Sequence, residues 1–482
     1  MKRLPLLLVA LSYLLALAAN PALAQSRPPG AGPEIRIGDN VFLVPDKNAR
    51  SITGWLIVLA GCADEAEGRC VGTAHYLEHL LFINRDNDHV SKVAFFADGS
   101  GNGWTTHRAT AYFQRFPSRP ATNAANLDRL IGHFAGLLSD LKVERAQADR
   151  ERNVVLQEYH QNTGRNPFAR FSIALNLALM PDEPLGQRVI GSPETINAFT
   201  LEAAQAFHSR WYARNNARIV LHGPIDTQAV APLVARHLAA LPDKPIPKHV
   251  WRDARNYGSG RQLLRTTDKD ARQLGVYLEK IVTFDEPEAM RLENEAASAV
   301  LGGYLASQLK ESPLDVLMER DEIVTSTRLS VGRIRDGTLR VSFWGVPADG
   351  VAPEKVIEAA RVYIADIARK GLSQETVDRL KMRIANERAL LAEQPQLYAQ
   401  ALTNWLSSHN SYEDWTSRAT RGATVTQASV NRLLSLIAGP GREVAGVLMP
   451  GAPSARDTSN NRRDEAPPLP SADAPRRQGA QR

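Results

Sequence analysis

The run Ala74-His75-Tyr76-Leu77-Glu78-His79-Leu80 constrains this chain of 482 residues more than any other feature. It holds two histidines four positions apart, which on a helix share one face and can reach a single metal ion. Glu78 sits one turn beyond His75 and next to His79, so it stands beside that ion and can take a proton from a water molecule. The order His-x-x-Glu-His is the inverted form of the zinc-helix signature. A buried amphipathic helix with two incidental histidines would give the same short match, so the rest of the chain has to supply the remaining parts of a site.

A catalytic zinc needs a third protein ligand and an open fourth position. The segment Glu151-Arg152-Asn153-Val154-Val155-Leu156-Gln157-Glu158 reads as a helix, since no Gly or Pro falls between Val143 and Asn162. Glu151 and Glu158 are seven apart, two turns, and share a face. Glu158 is the candidate third ligand, and Glu151 the candidate partner for the free N–H of a ligating imidazole. By themselves, two glutamates on a charged helix are more simply read as solvated.

The run from Gly72 to Phe82 resembles the active-site helix of the pitrilysin/insulinase metallopeptidases, a family that includes the mitochondrial processing peptidase. In that family a Glu on a later helix completes the zinc site, preceded seven residues earlier by a second Glu, and Glu158 and Glu151 fit this pattern. A third block, Asn102-Gly103-Trp104-Thr105-Thr106-His107-Arg108-Ala109-Thr110-Ala111-Tyr112, resembles the family's edge strand that binds the substrate backbone. Gly103 and Arg108 stand where the family has Ala and Asp. The resemblance implies a bound Zn²⁺, one per chain, held by His75, His79 and Glu158, with Glu78 as the catalytic base. It also implies substrate contacts at Asn102, Gly103, Trp104 and Thr105. Alternation of Trp104, Thr106, Thr110 and Tyr112 independently reads as one strand. An extended peptide adding to that strand by backbone pairing would favour unstructured substrates over folded ones.

Met1–Ala24 has the form of a signal peptide: Lys2 and Arg3, an apolar run from Leu4 to Ala18, then Ala22-Leu23-Ala24. An uncleaved anchor is the alternative, and no later stretch is long and apolar enough to cross a bilayer. The expected address is a bacterial periplasm. Cys62 and Cys70, the only cysteines, lie just before the metal helix, and an oxidising compartment favours a disulfide between them. Zinc binding by this pair and two free thiols are the alternatives. Net charge is +6, or +4 without Lys2 and Arg3, with acidic and basic residues interspersed, so nothing points to nucleic acid.

Strand-like runs at 34–44 and 52–59 precede the metal helix at 72–83. Helical stretches follow near 122–141, 143–162 and 201–212, then a strand at 217–221. Three prolines between Leu241 and Lys248 read as a linker. The pattern then restarts, with strands near 274–282, 338–344 and 444–448 and a helix at 287–309. The expected class is α+β: two homologous α/β-sandwich domains, each a mainly antiparallel sheet with helices packed on one face. The expected segments are a signal peptide at 1–24, a flexible lead at 25–33 and a zinc-bearing domain at 34–240. A linker at 241–255, an inactive family-like domain at 256–450 and a disordered tail at 451–482 follow.

Only His409 follows Trp251 among the histidines, so the second half lacks a second zinc motif. In the family this half commonly carries an Arg and a Tyr, seven apart, that hold the substrate carbonyl and its developing charge. Aligning the segment 301–325 places Met318 and Thr325 at those positions. Neither supplies a charge or a phenol, and Arg320 and Tyr304 do not keep the spacing. The expectation is a homologous partner subunit that contributes the pair, giving a heterodimer in which this chain bears zinc. The competing readings are a non-catalytic scaffold subunit and a maturation protease for one peptide precursor. The intact His75, Glu78, His79 and Glu158 argue against the scaffold.

Overall fold

The computed structural model describes residues 32–84, 100–181, 183–247, 259–284, 287–335, 337–409 and 411–451. The signal peptide, all but the first residue of the tail, most of the lead and much of the linker lie outside these residues.

The first sheet holds β1 (Ile35–Ile37), β2 (Val41–Pro45), β3 (Ser51–Val58), β4 (Ser100–Thr105), β5 (Thr110–Pro117) and β6 (Ala217–Gly223), in the order β1-β2-β6-β3-β5-β4. The second holds β7 (Gly260–Asp268), β8 (Gly275–Thr283), β9 (Val324–Arg335), β10 (Thr338–Pro347) and β11 (Arg442–Pro450), in the order β7-β11-β8-β10-β9. Each sheet has one parallel pair, β2 with β6 and β7 with β11, and is otherwise antiparallel. Matching β2 through β6 with β7 through β11 makes the two strand orders identical. The internal repeat, too weak to read from residue identities, is therefore plain in the topology.

Seven α-helices lie in the first half among the described residues: α1 (Thr73–Phe82), α2 (Asn123–Leu138), α3 (Arg145–Tyr159), α4 (Pro167–Leu179), α5 (Pro193–Asn197), α6 (Leu201–Trp211) and α7 (Thr227–Leu238). Six follow in the second half: α8 (Glu288–Leu305), α9 (Pro353–Lys370), α10 (Gln374–Ala392), α11 (Pro395–His409), α12 (Tyr412–Thr424) and α13 (Gln427–Ala438). Val41, Leu43, Leu56 and Val58 on one face of the first sheet pack with Leu77 and Leu80 of α1 and with Leu130 and Phe134 of α2.

The opposite faces are covered by exchange between the halves. Phe42, Val44, Trp55 and Ile57 pack against Tyr398, Leu402 and Leu406 of α11, which comes from the second half. Reciprocally, Phe171, Leu175 and Leu179 of α4 pack against Ile281, Val444 and Leu448 of the second sheet. Burial on both faces explains why β2 and β3 read as nearly continuous apolar runs rather than alternating ones. Ion pairs from Arg170 to Asp268 (2.6 Å) and Asp270 (2.9 Å) add to this clasp.

The single strand read across 102–112 is instead a hairpin of β4 and β5. Thr106 makes the turn: its Oγ1 accepts from Arg108 N (3.1 Å) and Ala109 N (3.0 Å), and its own N–H donates to Ala109 O (2.8 Å). A Thr side chain bonding to the backbone two and three residues on offers the chain an alternative to the ladder. Alternation alone did not register it.

Candidate metal centre

The loop before α1 sets the site. Cys62 and Cys70 form a disulfide with sulfurs 1.96 Å apart. Inside its loop the Glu65 carboxylate accepts from the N–H groups of Val71 (2.7 Å), Gly72 (3.0 Å) and Ala74 (2.8 Å). It thereby satisfies donors that the first turn of a helix leaves free, and its charge suits the positive end of the helix dipole. Burial pushes this carboxyl up to about 7, while the same backbone donors pull it down. Gly72, at φ 102°, occupies the left-handed region, and a Cβ there would lie 2.5 Å from the Ile190 carbonyl oxygen. Replacing both cysteines by serine is expected to cost about 2–3 kcal/mol, the chain-entropy value for so short a loop. A lowered urea midpoint would show it.

The Tyr76 hydroxyl donates to Ala148 O (2.7 Å), tying α1 to α3 and fixing the height of Glu151 and Glu158 against the histidines. Glu158 Oε2 lies 3.3 Å from His79 Nε2 and 3.6 Å from His75 Nε2. The ligand atoms of His75, His79 and Glu158 all lie within 4.8 Å of one another. His79 Nδ1 lies 2.9 Å from Glu151 Oε1, leaving its Nε2 for the cluster. Asn162 Nδ2 donates to Glu158 Oε1 (3.2 Å), which leaves Oε2 turned to the histidines. Two imidazole nitrogens and one carboxylate form a donor set that suits zinc and match the three-ligand pattern of catalytic zinc sites. The residues present therefore fit the metal.

Electrostatics separates the two histidines. Burial, helped by the neighbouring His79, pushes His75 down to about 4. Burial also opposes a charge on His79, but hydrogen bonds to Glu151 and Glu158 outweigh it and push that ring up to about 9. Glu78 is 5 % exposed, and burial pushes its carboxyl up to about 7. Thr105 Oγ1 donates to Glu78 Oε2 (2.7 Å), so the carboxyl is held in place by the strand beside α1.

That strand is β4, the outermost of its sheet. The four residues singled out on it have different surroundings. Thr105 is committed to Glu78, and the Asn102 side chain accepts from Gly103 N (2.9 Å). Trp104 packs against the cluster built on α11. Gly103 is a close approach: a Cβ there would come 2.9 Å from Glu78 Oε1.

Three features were not found in the sequence. Glu65 as a helix cap and Thr105 as the partner of Glu78 depend on tertiary proximity. Arg188 bonds the Thr163 hydroxyl, stacks 5.0 Å over the Tyr159 ring, and bears electrostatically on His75 and Glu158. It lies in a loop with no motif to mark it. In the second half, the Tyr304 hydroxyl donates to Lys310 O (3.3 Å), and Arg320 pairs with Asp321 (3.2 Å) and Glu311 (3.5 Å). Met318 packs against the second core, and the Thr325 hydroxyl bonds Val346 O (3.5 Å).

Residues 40–191 match the family described as Insulinase (Peptidase family M16), and residues 198–384 match the description Peptidase M16 inactive domain. The chain belongs to this family. A relative named zinc protease PqqE, from Helicobacter pylori, is 26 % identical over 294 residues, covering 58 % of this chain and 63 % of the relative. The Escherichia coli relative PqqL is 27 % identical over 213 residues, 41 % of this chain and 22 % of its own length. The chain thus matches less than two thirds of either curated relative. Among solved structures, a protease from Helicobacter pylori superposes with a TM-score of 0.69 at 19 % identity, over 86 % of this chain and 99 % of that one. Pitrilysin superposes at 0.69 and 16 % identity, over 86 % of this chain and 44 % of its own. At such identities these superpositions establish the shared two-domain fold. Among the described residues, no helix is long and apolar enough to cross a membrane.

Proposed function

We propose that this family member is a zinc-dependent endopeptidase that cleaves extended, unstructured peptides. The observation that carries the reading is the cluster of His75, His79 and Glu158 with the buried carboxyl of Glu78 next to it. When bound there, zinc supplies the charge that makes water acidic enough to act as a nucleophile near neutral pH. Glu78, held by Thr105, accepts the proton of the attacking water and returns it to the leaving nitrogen. Its buried place beside the cluster, fixed by the Thr105 hydroxyl, suits both transfers. Glu151 keeps the His79 ring in the orientation that presents Nε2. The edge of β4 that no other described strand pairs with receives the substrate backbone as an added strand.

Gly103→Val is expected to displace the Glu78 carboxylate, because the new Cβ would start 2.9 Å from its Oε1. The expected outcome is a fall in kcat of about tenfold or more, with zinc content unchanged. Wild-type turnover in this variant would remove Gly103 from the arrangement.

The amino-terminal segment and the periplasmic description carried by the PqqL structure support export to the periplasm. The anchoring of Tyr304 and Arg320 within the second half supports a homologous partner subunit as the source of the Arg and Tyr pair. The deciding experiment is hydrolysis of a quenched-fluorescent library of unstructured peptides by the purified protein, with zinc and after chelation. Zinc-dependent cleavage is expected. Cleavage by this chain alone would dispense with the partner. Zinc binding without cleavage, either alone or with a homologous subunit added, would overturn the peptidase reading.

A further inference from the structure

We infer that the cavity bounded by α8, β9, α10 and α12 in the second half is a binding site for a compact polyvalent oxyanion, a molecule bearing separated carboxylate or phosphate groups. Its volume of about 710 Å³ is that of a small-molecule pocket. It lies apart from the residues of the metal centre, and the inference does not depend on the peptidase reading.

The cavity carries unbalanced positive charge. Arg328, Arg333, Lys381, Arg388, Arg418 and Arg421 line the cavity. Two of the six are neutralised by acidic neighbours. Arg333 pairs with Glu295 (2.7 Å) and Asp414 (2.9 Å), and Arg421 pairs with the same Asp414 (2.9 Å). Glu295 is already taken up further, by Arg291 (3.0 Å) and by Gly337 N (3.0 Å).

The other four cations have no carboxylate within 4.0 Å among the described residues. Three of them are fixed instead by main-chain oxygens. Lys381 Nζ donates to Val425 O (2.6 Å), Arg388 Nη1 to Arg418 O (2.9 Å) and Arg418 Nε to Trp415 O (3.3 Å). The Arg418 guanidinium is further held between Trp415 and Trp405, 3.8 and 4.2 Å from the ring centroids.

Of these four, Arg388 and Arg418 are the costly ones, because their burial removes water that no ion-paired carboxylate replaces. Burial and then the charge of Arg421 hold Arg388 below the usual arginine range, and burial and then Arg388 push Arg418 down to about 10. A bound oxyanion relieves both effects. Guanidinium forks match carboxylate and phosphate oxygens in pairs, and the indole of Trp405 offers an apolar wall for the ligand's body. Trp405 also lies on the helix whose Ser407 carbonyl accepts from Thr106 Oγ1 (3.5 Å), so the cavity wall and the turn after β4 share one element.

The test is titration calorimetry of the purified protein with two probes whose acidic groups are too far apart to strip zinc: fructose 1,6-bisphosphate and benzene-1,3,5-tricarboxylate. Saturable binding of one probe per chain is expected, and the tighter probe identifies the occupant as phosphate- or carboxylate-bearing. Combining Arg328→Gln with Lys381→Gln should weaken binding about tenfold or more. Arg328 is exposed and Lys381 partly so, so the fold should tolerate both changes. As a second variant, Arg388→Gln should melt no lower than the parent without ligand, since it removes a repelled charge, and should lose the melting shift the probe causes. Failure of both probes to saturate, or binding unchanged in both variants and therefore adventitious, would overturn the inference.

Discussion

Glu158→Ala is expected to leave the purified protein almost free of zinc after dialysis, and the parent to retain one ion per chain. Its Oε2 is the only carboxylate oxygen among the described residues that completes the cluster with both imidazoles, 3.3 Å from His79 Nε2 and 3.6 Å from His75 Nε2. Without it two nitrogens remain, too few for a stable tetrahedral zinc site. Glu151 cannot slide into the role, because its Oε1 is engaged at 2.9 Å by the far nitrogen of His79. The fold should survive, since the Glu158 side chain is 34 % exposed and stands on a helix packed through other residues. Metal analysis of the dialysed variant, with circular dichroism to confirm folding, checks the prediction. Undiminished zinc would mean that the third ligand lies elsewhere.

The candidate site residues were legible because each pair sits on one helix. His75 and His79 are four apart on α1, Glu151 and Glu158 seven apart on α3, and helical periodicity alone places each pair on a common face. What brings the two faces together is tertiary: the Tyr76–Ala148 hydrogen bond and a shared core. Only the family resemblance could anticipate that meeting.

Parts that rest on contacts without periodicity stayed hidden. Glu65 caps α1 from a disulfide loop, Thr105 reaches Glu78 across a hairpin, and Arg188 arrives from a loop. The hairpin itself was read as one strand because Thr106 and Thr110 continue the alternation across the turn. At the level of the fold, two α+β halves could be read from restarting patterns. The exchange of α4 and α11 between the halves could not, because an amphipathic helix does not record which sheet it covers.

Glu78→Gln is expected to keep the bound metal and lose hydrolysis by roughly two to four orders of magnitude, the usual range for removal of a positioned proton-transfer group. The substitution preserves size, and the Thr105 hydroxyl can still donate to the amide oxygen, as it does to Glu78 Oε2 at 2.7 Å. His75, His79 and Glu158 are untouched, so zinc content should equal that of the parent. What changes is that a neutral amide cannot accept the proton of the attacking water. Among the described residues the site also has no ready substitute. Glu158 and Glu151 are both committed to the histidines, and the Tyr112 hydroxyl is paired with Tyr212 at 2.7 Å. Burying this carboxyl, with the Thr105 hydroxyl as its hydrogen-bond donor, costs the fold stability. Peptide hydrolysis measured beside zinc content therefore separates the two roles. Loss of activity with full metal assigns proton transfer to Glu78, whereas parental turnover with full metal would remove it from the reaction and leave the cluster as a binding site alone.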